Sequence, residues 1–219
     1  MAIYLLGKTG TDVDSPSFKA YVYAYKAKKR CPEVEPTIME DSKYACLYAC
    51  DIIKGRWPEA EPIIMKDPTW AYMYACEVIK GRWPEAEPIM MKDLDAAFSY
   101  ACDVIKGRWP EAESAIMKDP MWAYMYAYEI IRDRWPEAES YIIKNPEYAY
   151  KYAHSIIKGR WPEAEPYIAK SPTWASYYLL NMIQGPWLEK ESVANEGNNV
   201  ASLYRMFLRK FRGIDVGSN

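Results

Sequence analysis

A tryptophan returns every 26 residues along most of this chain, as Trp57, Trp83, Trp109, Trp135, Trp161 and Trp187. Around it the phrase Lys54-Gly55-Arg56-Trp57-Pro58-Glu59-Ala60-Glu61 recurs at 80–87, 106–113 and 158–165, with Arg134-Trp135-Pro136-Glu137-Ala138-Glu139 between the last two. A fixed period of this length points away from a single globular core. Each unit is one helical motif that buries its apolar face only against its neighbours, and about three or more must stack for stability. Counted from the arginine, six units fill 30–185, the first with Cys31 in the tryptophan's place. The expected fold is all-α: an α-solenoid of six 26-residue helix-turn-helix repeats, one short and one long helix in each, with atypical capping ends.

Outside the array the pattern decays. Residues 1–29 form an N-terminal cap with a degenerate half-repeat, since Ala20-Tyr21-Val22-Tyr23-Ala24 matches Ala71-Tyr72-Met73-Tyr74-Ala75 one residue out of phase. Residues 186–219 form a C-terminal capping segment. Its run Leu203-Tyr204-Arg205-Met206-Phe207-Leu208-Arg209-Lys210-Phe211-Arg212 is a basic amphipathic helix, expected to close the open end of the stack.

Within a unit the long helix starts at Asp67-Pro68, Asp119-Pro120, Asn145-Pro146 or Ser171-Pro172. The first side chain accepts an orphan N–H, and proline takes the first helical position, where its missing donor costs nothing. The helix is expected to stop at Lys80-Gly81 and its counterparts, with the glycine supplying the left-handed residue. The short element carries prolines four apart, Pro58 and Pro62, and the second removes a hydrogen bond. A proline-led turn or 3₁₀ piece followed by a turn or two of helix fits this pattern, with Ile63 and Ile64 inward. Ser114 and Ser140 replace the second proline in units four and five.

Spacing assigns the faces of the long helix. Ala71, Tyr74, Ala75 and Val78 fall at i, i+3, i+4 and i+7 and form the core stripe, as do Ala123, Tyr126, Ala127, Ile130 and Ala149, Tyr152, Ala153, Ile156. A second stripe, Tyr72, Cys76, Ile79 with Tyr124, Tyr128, Ile131 among its equivalents, is expected to pack on the adjoining unit. His154, the only histidine, stands in this stripe and is expected to be a packing residue. Unit three, with Asp93-Leu94-Asp95-Ala96, lacks the helix-starting proline and the aromatic of Trp70, Trp122 and Trp174. It is expected to be the least regular.

Chemistry-bearing motifs are sparse. Leu6-Gly7-Lys8-Thr9-Gly10 echoes a phosphate loop, but the required glycine five places earlier is Ala2. Cys46 and Cys50 share a helix face without the His or Cys-x-x-Cys that would complete a zinc site. A single histidine and no Gly-x-Ser-x-Gly leave a hydrolase triad without its parts. No enzyme, metal or cofactor is expected. Arg82 with Glu85 and Glu87, and their equivalents, read as an ion-pair ladder fixing the turn, and the recurring tryptophan as a staple in the bend.

A residue required identically in every unit serves neighbour packing, so a partner site is sought where the units differ. On the polar face of the long helices one position reads Leu47, Met73, Ser99, Met125, Lys151 and Tyr177, beside Glu77, Asp103 and Glu129. Thioethers and aromatics with a polar rim suit protein recognition. Leu47, Met73, Glu77, Asp103, Met125, Glu129, Lys151 and Tyr177 are the expected partner-binding residues. Charge argues against nucleic acid. Residues 31–185 carry 17 basic and 24 acidic side chains, and a net −7 repels phosphates along the array. The N-terminus, Met1-Ala2-Ile3-Tyr4-Leu5-Leu6-Gly7, lacks the look of a signal peptide, and no apolar run reaches 18 residues, so no stable membrane insertion is expected.

The phrase Ala-Tyr-x-Tyr-Ala followed by Val-Ile-Lys-Gly-Arg-Trp-Pro-Glu-Ala-Glu, spread over about 20–187, resembles the tandem repeats of proteins encoded by tailed bacteriophages. The alternation of a long and a very short helix also resembles leucine-rich-variant repeats, with Ala, Tyr and Ile in place of Leu. The first resemblance implies a phage origin and action in the host cytoplasm. Combined with the varied face, the expectation is a non-catalytic protein-binding solenoid, an accessory factor that sequesters or inhibits a host protein such as a defence component. The alternatives are a nucleic-acid-binding or DNA-mimic repeat protein, or a binder of a small nucleotide-like ligand.

Overall fold

The computed structural model describes residues 14–183. Among these every regular element is helical, and helix pairs recur in the 26-residue register, so the fold is the all-α repeat solenoid expected. The chain divides between Ala112 and Glu113 into two compact bodies. The C-terminal capping segment, its basic helix and the Leu6-Gly7-Lys8-Thr9-Gly10 sequence lie outside the described residues.

In the first body an N-terminal helix, Pro16–Ala27, precedes the long helices Ser42–Tyr48, Pro68–Tyr74 and Leu94–Tyr100. The second body carries Pro120–Tyr126, Pro146–Tyr152 and Pro172–Met182. Within each body a long helix packs on the next long helix and on the short element leading into it. Ala71, Tyr74 and Ala75 are fully buried, as are Ala123, Tyr126, Ala127 and Ala149, Tyr152, Ala153. The alanines leave room for the aromatic rings of the adjoining layer. Pro16–Ala27 does a repeat's work despite its phase slip, since it buries Ala20, Tyr21 and Ala24.

The caps follow the sequence with one exception. Asp67 accepts from the N–H groups of Thr69 and Trp70 at 2.9 and 3.1 Å, and Asp41, Asp119 and Asn145 do the same. Ser171 makes no side-chain cap hydrogen bond. Unit three keeps a seven-residue helix over Leu94–Tyr100, the same length as its neighbours. Its irregularity is confined to the cap, where Asp93 accepts only from Ala96.

The proline arithmetic of the short element holds. Where the second proline is present the helix is broken: a 3₁₀ turn Pro32–Val34 precedes Glu35–Ile38, another, Pro162–Ala164, precedes Glu165–Ile168, and only Glu61–Ile64 and Glu87–Met90 are α-helical in units two and three. Where serine replaces it, Pro110–Ile116 and Pro136–Ile142 run unbroken. Ile64 is fully buried and Ile63 only partly, so one isoleucine of each such pair carries the packing.

The helix ends correct the sequence reading. Five long helices finish in a wide turn of i→i+5 character, Ala49–Ile53, Ala75–Ile79, Ala101–Ile105, Ala127–Ile131 and Ala153–Ile157. Each ends on two β-branched residues, whose stiff side chains crowd a tight final turn. The last helix has Met182 in place of the first of the pair and stays α-helical through Met182. The left-handed residue is the cation, not the glycine: Lys54, Lys80, Lys106, Arg132 and Lys158 have φ of 57 to 59°. A Cβ built on Gly55, Gly81, Gly107 or Gly159 meets nothing within 4 Å, and Asp133 fills this place in unit four.

Two substitutions separate these roles. Lys80→Gly removes a left-handed Cβ penalty and is expected to raise stability by up to about 1 kcal/mol, while Gly81→Ala trims unfolded-chain freedom and is neutral to stabilising by about 0.4–1 kcal/mol. Thermal melting checks both. A fall in Tm on Gly81→Ala would return the left-handed role to glycine.

Candidate functional site

Two arrangements recur along the stack, one holding each repeat together and one facing outward. The first is a buried clamp. The hydroxyl of Tyr74 accepts the backbone N–H of Trp57 at 2.6 Å and donates to Glu61 Oε1 at 3.1 Å, and Arg56 grips the two oxygens of Glu61 at 2.8 and 2.9 Å. The same set joins Arg30, Cys31, Glu35 and Tyr48, then Arg82, Trp83, Glu87 and Tyr100 in the first body. In the second it joins Arg134, Trp135, Glu139 and Tyr152, then Arg160, Trp161, Glu165 and Tyr178.

Each tyrosine ring then packs on the next unit's tryptophan, at centroid distances of 5.0 Å for Tyr48 and Trp57 and 5.1 Å for Tyr74 and Trp83. One side chain thus closes its own repeat through its oxygen and binds the next through its ring. The arginine partner is the second glutamate of the motif, Glu87, whereas Glu85 is exposed. The Arg30 fork holds the Glu35 carboxyl below its ordinary range. Burial pushes the Tyr48 and Tyr100 hydroxyls up to about 12, so both are neutral donors at physiological pH. The hydroxyl and carboxylate of the clamp are satisfied within the repeat, and only the arginine, with 40–54% of its side chain exposed, reaches the surface.

A second set of hydrogen bonds locks neighbouring long helices. Tyr21 donates to Asp51 at 2.7 Å, Tyr72 to Asp103, and Asn181 Nδ2 to the Tyr150 hydroxyl at 3.0 Å. In the first body the acceptor is a short Asp wherever a tyrosine precedes it. Glu77 stands opposite Cys46, which has no hydroxyl to offer, and its carboxylate forms no hydrogen bond or ion pair among the described residues.

The expected partner-binding residues are now placed. In the first body Leu47 is buried at 4% exposure, so it is core and not surface. Met73 and Glu77 are half-buried, and Asp103, though exposed, is engaged by Tyr72. In the second body Met125 is half-buried and Glu129 exposed. Lys151 pairs with Glu147 at 2.6 Å and lies over the rings of Tyr148 and Trp174, and Tyr177 is 49% exposed. The strip is therefore not one uniform exposed face. Its open aromatic part is at Tyr177, beside Lys151.

What surrounds that part was assigned to packing by spacing. Tyr128 is 46% exposed and stacks on Tyr124 at 5.9 Å and 24°, and Tyr124 meets Tyr148 of the next helix at 6.0 Å. One repeat on, Tyr150 lies 5.7 Å from His154, 5.6 Å from Trp174 and 6.0 Å from Tyr177. His154 is exposed, which corrects its expected role as a buried packing residue. The exposure belongs to the position and not to the wide turn, since Leu180, the equivalent residue in a helix that stays α-helical, is 55% exposed.

The outcome is two adjacent rungs of rings on the long helices of the second body. The sequence signal was available. The position reads Cys50, Cys76 and Cys102 in the first three units and Tyr128, His154 and Leu180 in the last three, a change from small to large that neighbour packing does not require. Among the described residues, no group of three His, Cys, Asp or Glu side chains is gathered as for a metal ion, and no helix is long and apolar enough to cross a membrane. Comparison with family models, with curated proteins and with solved structures gives no match to this chain.

Proposed function

We propose that the chain is a non-catalytic protein-binding solenoid, and that its partner docks on the rings of Tyr124, Tyr128, Tyr150, His154, Trp174 and Tyr177. The observation that carries this reading is the exposure of Tyr128 and Tyr177, at 46% and 49%, on long helices whose core tyrosines, Tyr126, Tyr152 and Tyr178, are fully buried. Large rings left half in water next to one another mark contact surfaces in place of core. Following the resemblance to phage-encoded repeat arrays, the partner is a host protein, which this chain sequesters or inhibits in the host cytoplasm. The net −7 of residues 31–185 disfavours nucleic acid as that partner.

The test is affinity capture from infected bacterial cells with wild-type chain and with Tyr128→Asp and Tyr177→Asp. Exposed substitutions of this kind change stability by about 0.5 kcal/mol or less, so the melting curves should superimpose. Loss of a captured protein in both variants is the expected result. Capture at wild-type level by both would remove the rings from the binding surface.

A further inference from the structure

The rings carry more information than their exposure. Tyr124 and Tyr128 with Tyr148 make one rung, and Tyr150 and His154 with Trp174 and Tyr177 make the next. The rungs sit on consecutive long helices, Pro120–Tyr126, Pro146–Tyr152 and Pro172–Met182, which pack directly on one another. Packed helices repeat at roughly 8–10 Å. A polyproline II strand turns once in three residues at about 3.1 Å each, a repeat of about 9 Å. Each turn of such a strand therefore meets one rung.

Charge and hydrogen-bonding capacity select the same ligand. Lys151, the cation seated over Trp174, is paired with Glu147, so it offers little attraction to a phosphate or a carboxylate. The hydroxyls of Tyr128 and Tyr177 have no hydrogen-bond partner among the described residues. They stand beside flat apolar rings with their O–H groups available to donate. A polyproline II strand has no internal hydrogen bonds and leaves its carbonyl oxygens free to accept, while its pyrrolidine rings lie flat on aromatic faces.

Resting on the protein-binding reading above, we infer that the two rungs form a docking groove for an uncharged, proline-rich extended segment of the partner. Proline rings sit between successive rungs, and the hydroxyls of Tyr128 and Tyr177 donate to the strand's carbonyl groups. The preformed strand loses little conformational freedom on docking, so a shallow groove of half-exposed rings suffices to hold it.

The experiment titrates the full chain with decaproline by calorimetry and by amide chemical shifts. A ten-residue Gly-Ser peptide, ten-nucleotide thymidine DNA and cellohexaose run as parallel probes. Saturable binding of decaproline is expected, with Tyr128→Ala and Tyr177→Ala each weakening it about tenfold. Tyr167→Ala, an exposed ring on the short element Glu165–Ile168, should leave it unchanged. Absence of saturation at millimolar decaproline, equal affinity in the Tyr128 and Tyr177 variants, or tighter binding of the DNA or the oligosaccharide would overturn the inference. The two proposals fail separately. A captured protein lost with Tyr128→Asp and Tyr177→Asp alongside a chain blind to decaproline sinks the groove's ligand and leaves the binding surface standing; capture indifferent to both substitutions sinks the surface itself.

Discussion

Raising the pH from 10 to about 11 is expected to unfold this chain cooperatively. Five clamp tyrosines, Tyr48, Tyr74, Tyr100, Tyr152 and Tyr178, have hydroxyls whose pKa is raised above the ordinary value, each chiefly by burial. Tyr48 and Tyr100 are pushed up to about 12, and the neighbouring carboxylates Glu35 and Glu87 add to the rise. The sign follows from which state binds protons more tightly. Below about pH 10 both folded and unfolded chains hold these protons, so the clamp's contribution is fully present. Above it the unfolded chain releases them and the folded chain does not, so stability falls as the pH climbs toward the folded values.

Between pH 10 and 11 the unfolded chain goes from half to almost fully ionised, so each tyrosine costs about 1 kcal/mol and five together about 5 kcal/mol. A domain's whole stability is about 5–15 kcal/mol, so one pH unit is decisive. Tyrosinate absorbance and helical circular dichroism should therefore change together in one steep transition. If the tyrosines titrate gradually near pH 10 while helicity persists, their hydroxyls reach water and the clamp is not buried as the Trp57, Trp83 and Trp135 contacts require.

Most of this fold is written in the sequence because a repeat states each rule several times. The period fixed the stack, the Asp-Pro starts fixed the long helices, and the exchange of Pro62 for Ser114 or Ser140 told a broken short helix from a whole one. The buried clamp was half legible. Arg and Glu announced an ion pair, but the hydroxyl joining them to the next backbone was hidden in a residue counted as apolar. The clue is that this core position is tyrosine in all six units and never phenylalanine, although Phe98 shows that the chain uses phenylalanine nearby. A buried position that insists on an oxygen needs a partner for it.

The surface was the least legible part. Its location depends on which apolar stripe each long helix buries, and a pattern in which more than one face is apolar does not rank the stripes. Counting on 3.6 put Tyr128 and His154 against a neighbour and Leu47 in solvent, and the structure exposes the first two and buries the third. Of the expected polar face in the second body, Tyr177 is exposed and Lys151 half-buried.

Trp83→Ala is expected to cost about 3–5 kcal/mol, more than any other single substitution considered for this chain. Trp83 is 2% exposed, and its ring lies 5.1 Å from that of Tyr74 in the preceding repeat. Alanine keeps the backbone N–H that donates to the Tyr100 hydroxyl at 2.7 Å, so the clamp of unit three survives and the loss is one of packing between units two and three. Tyr100→Phe makes the opposite cut. It keeps the ring against Trp109 and removes the oxygen, leaving the Trp83 N–H without its acceptor and Glu87 Oε1 without that donor, at a cost of about 1–3 kcal/mol. Urea unfolding followed by circular dichroism measures both. Because stability in a repeat stack is a sum of unit and nearest-neighbour terms, an interface loss also weakens cooperativity, so the Trp83→Ala transition should broaden while that of Tyr100→Phe shifts without broadening. A Trp83→Ala loss smaller than the Tyr100→Phe loss would mean that the hydroxyl clamp, and not the indole between repeats, carries most of the stack's stability.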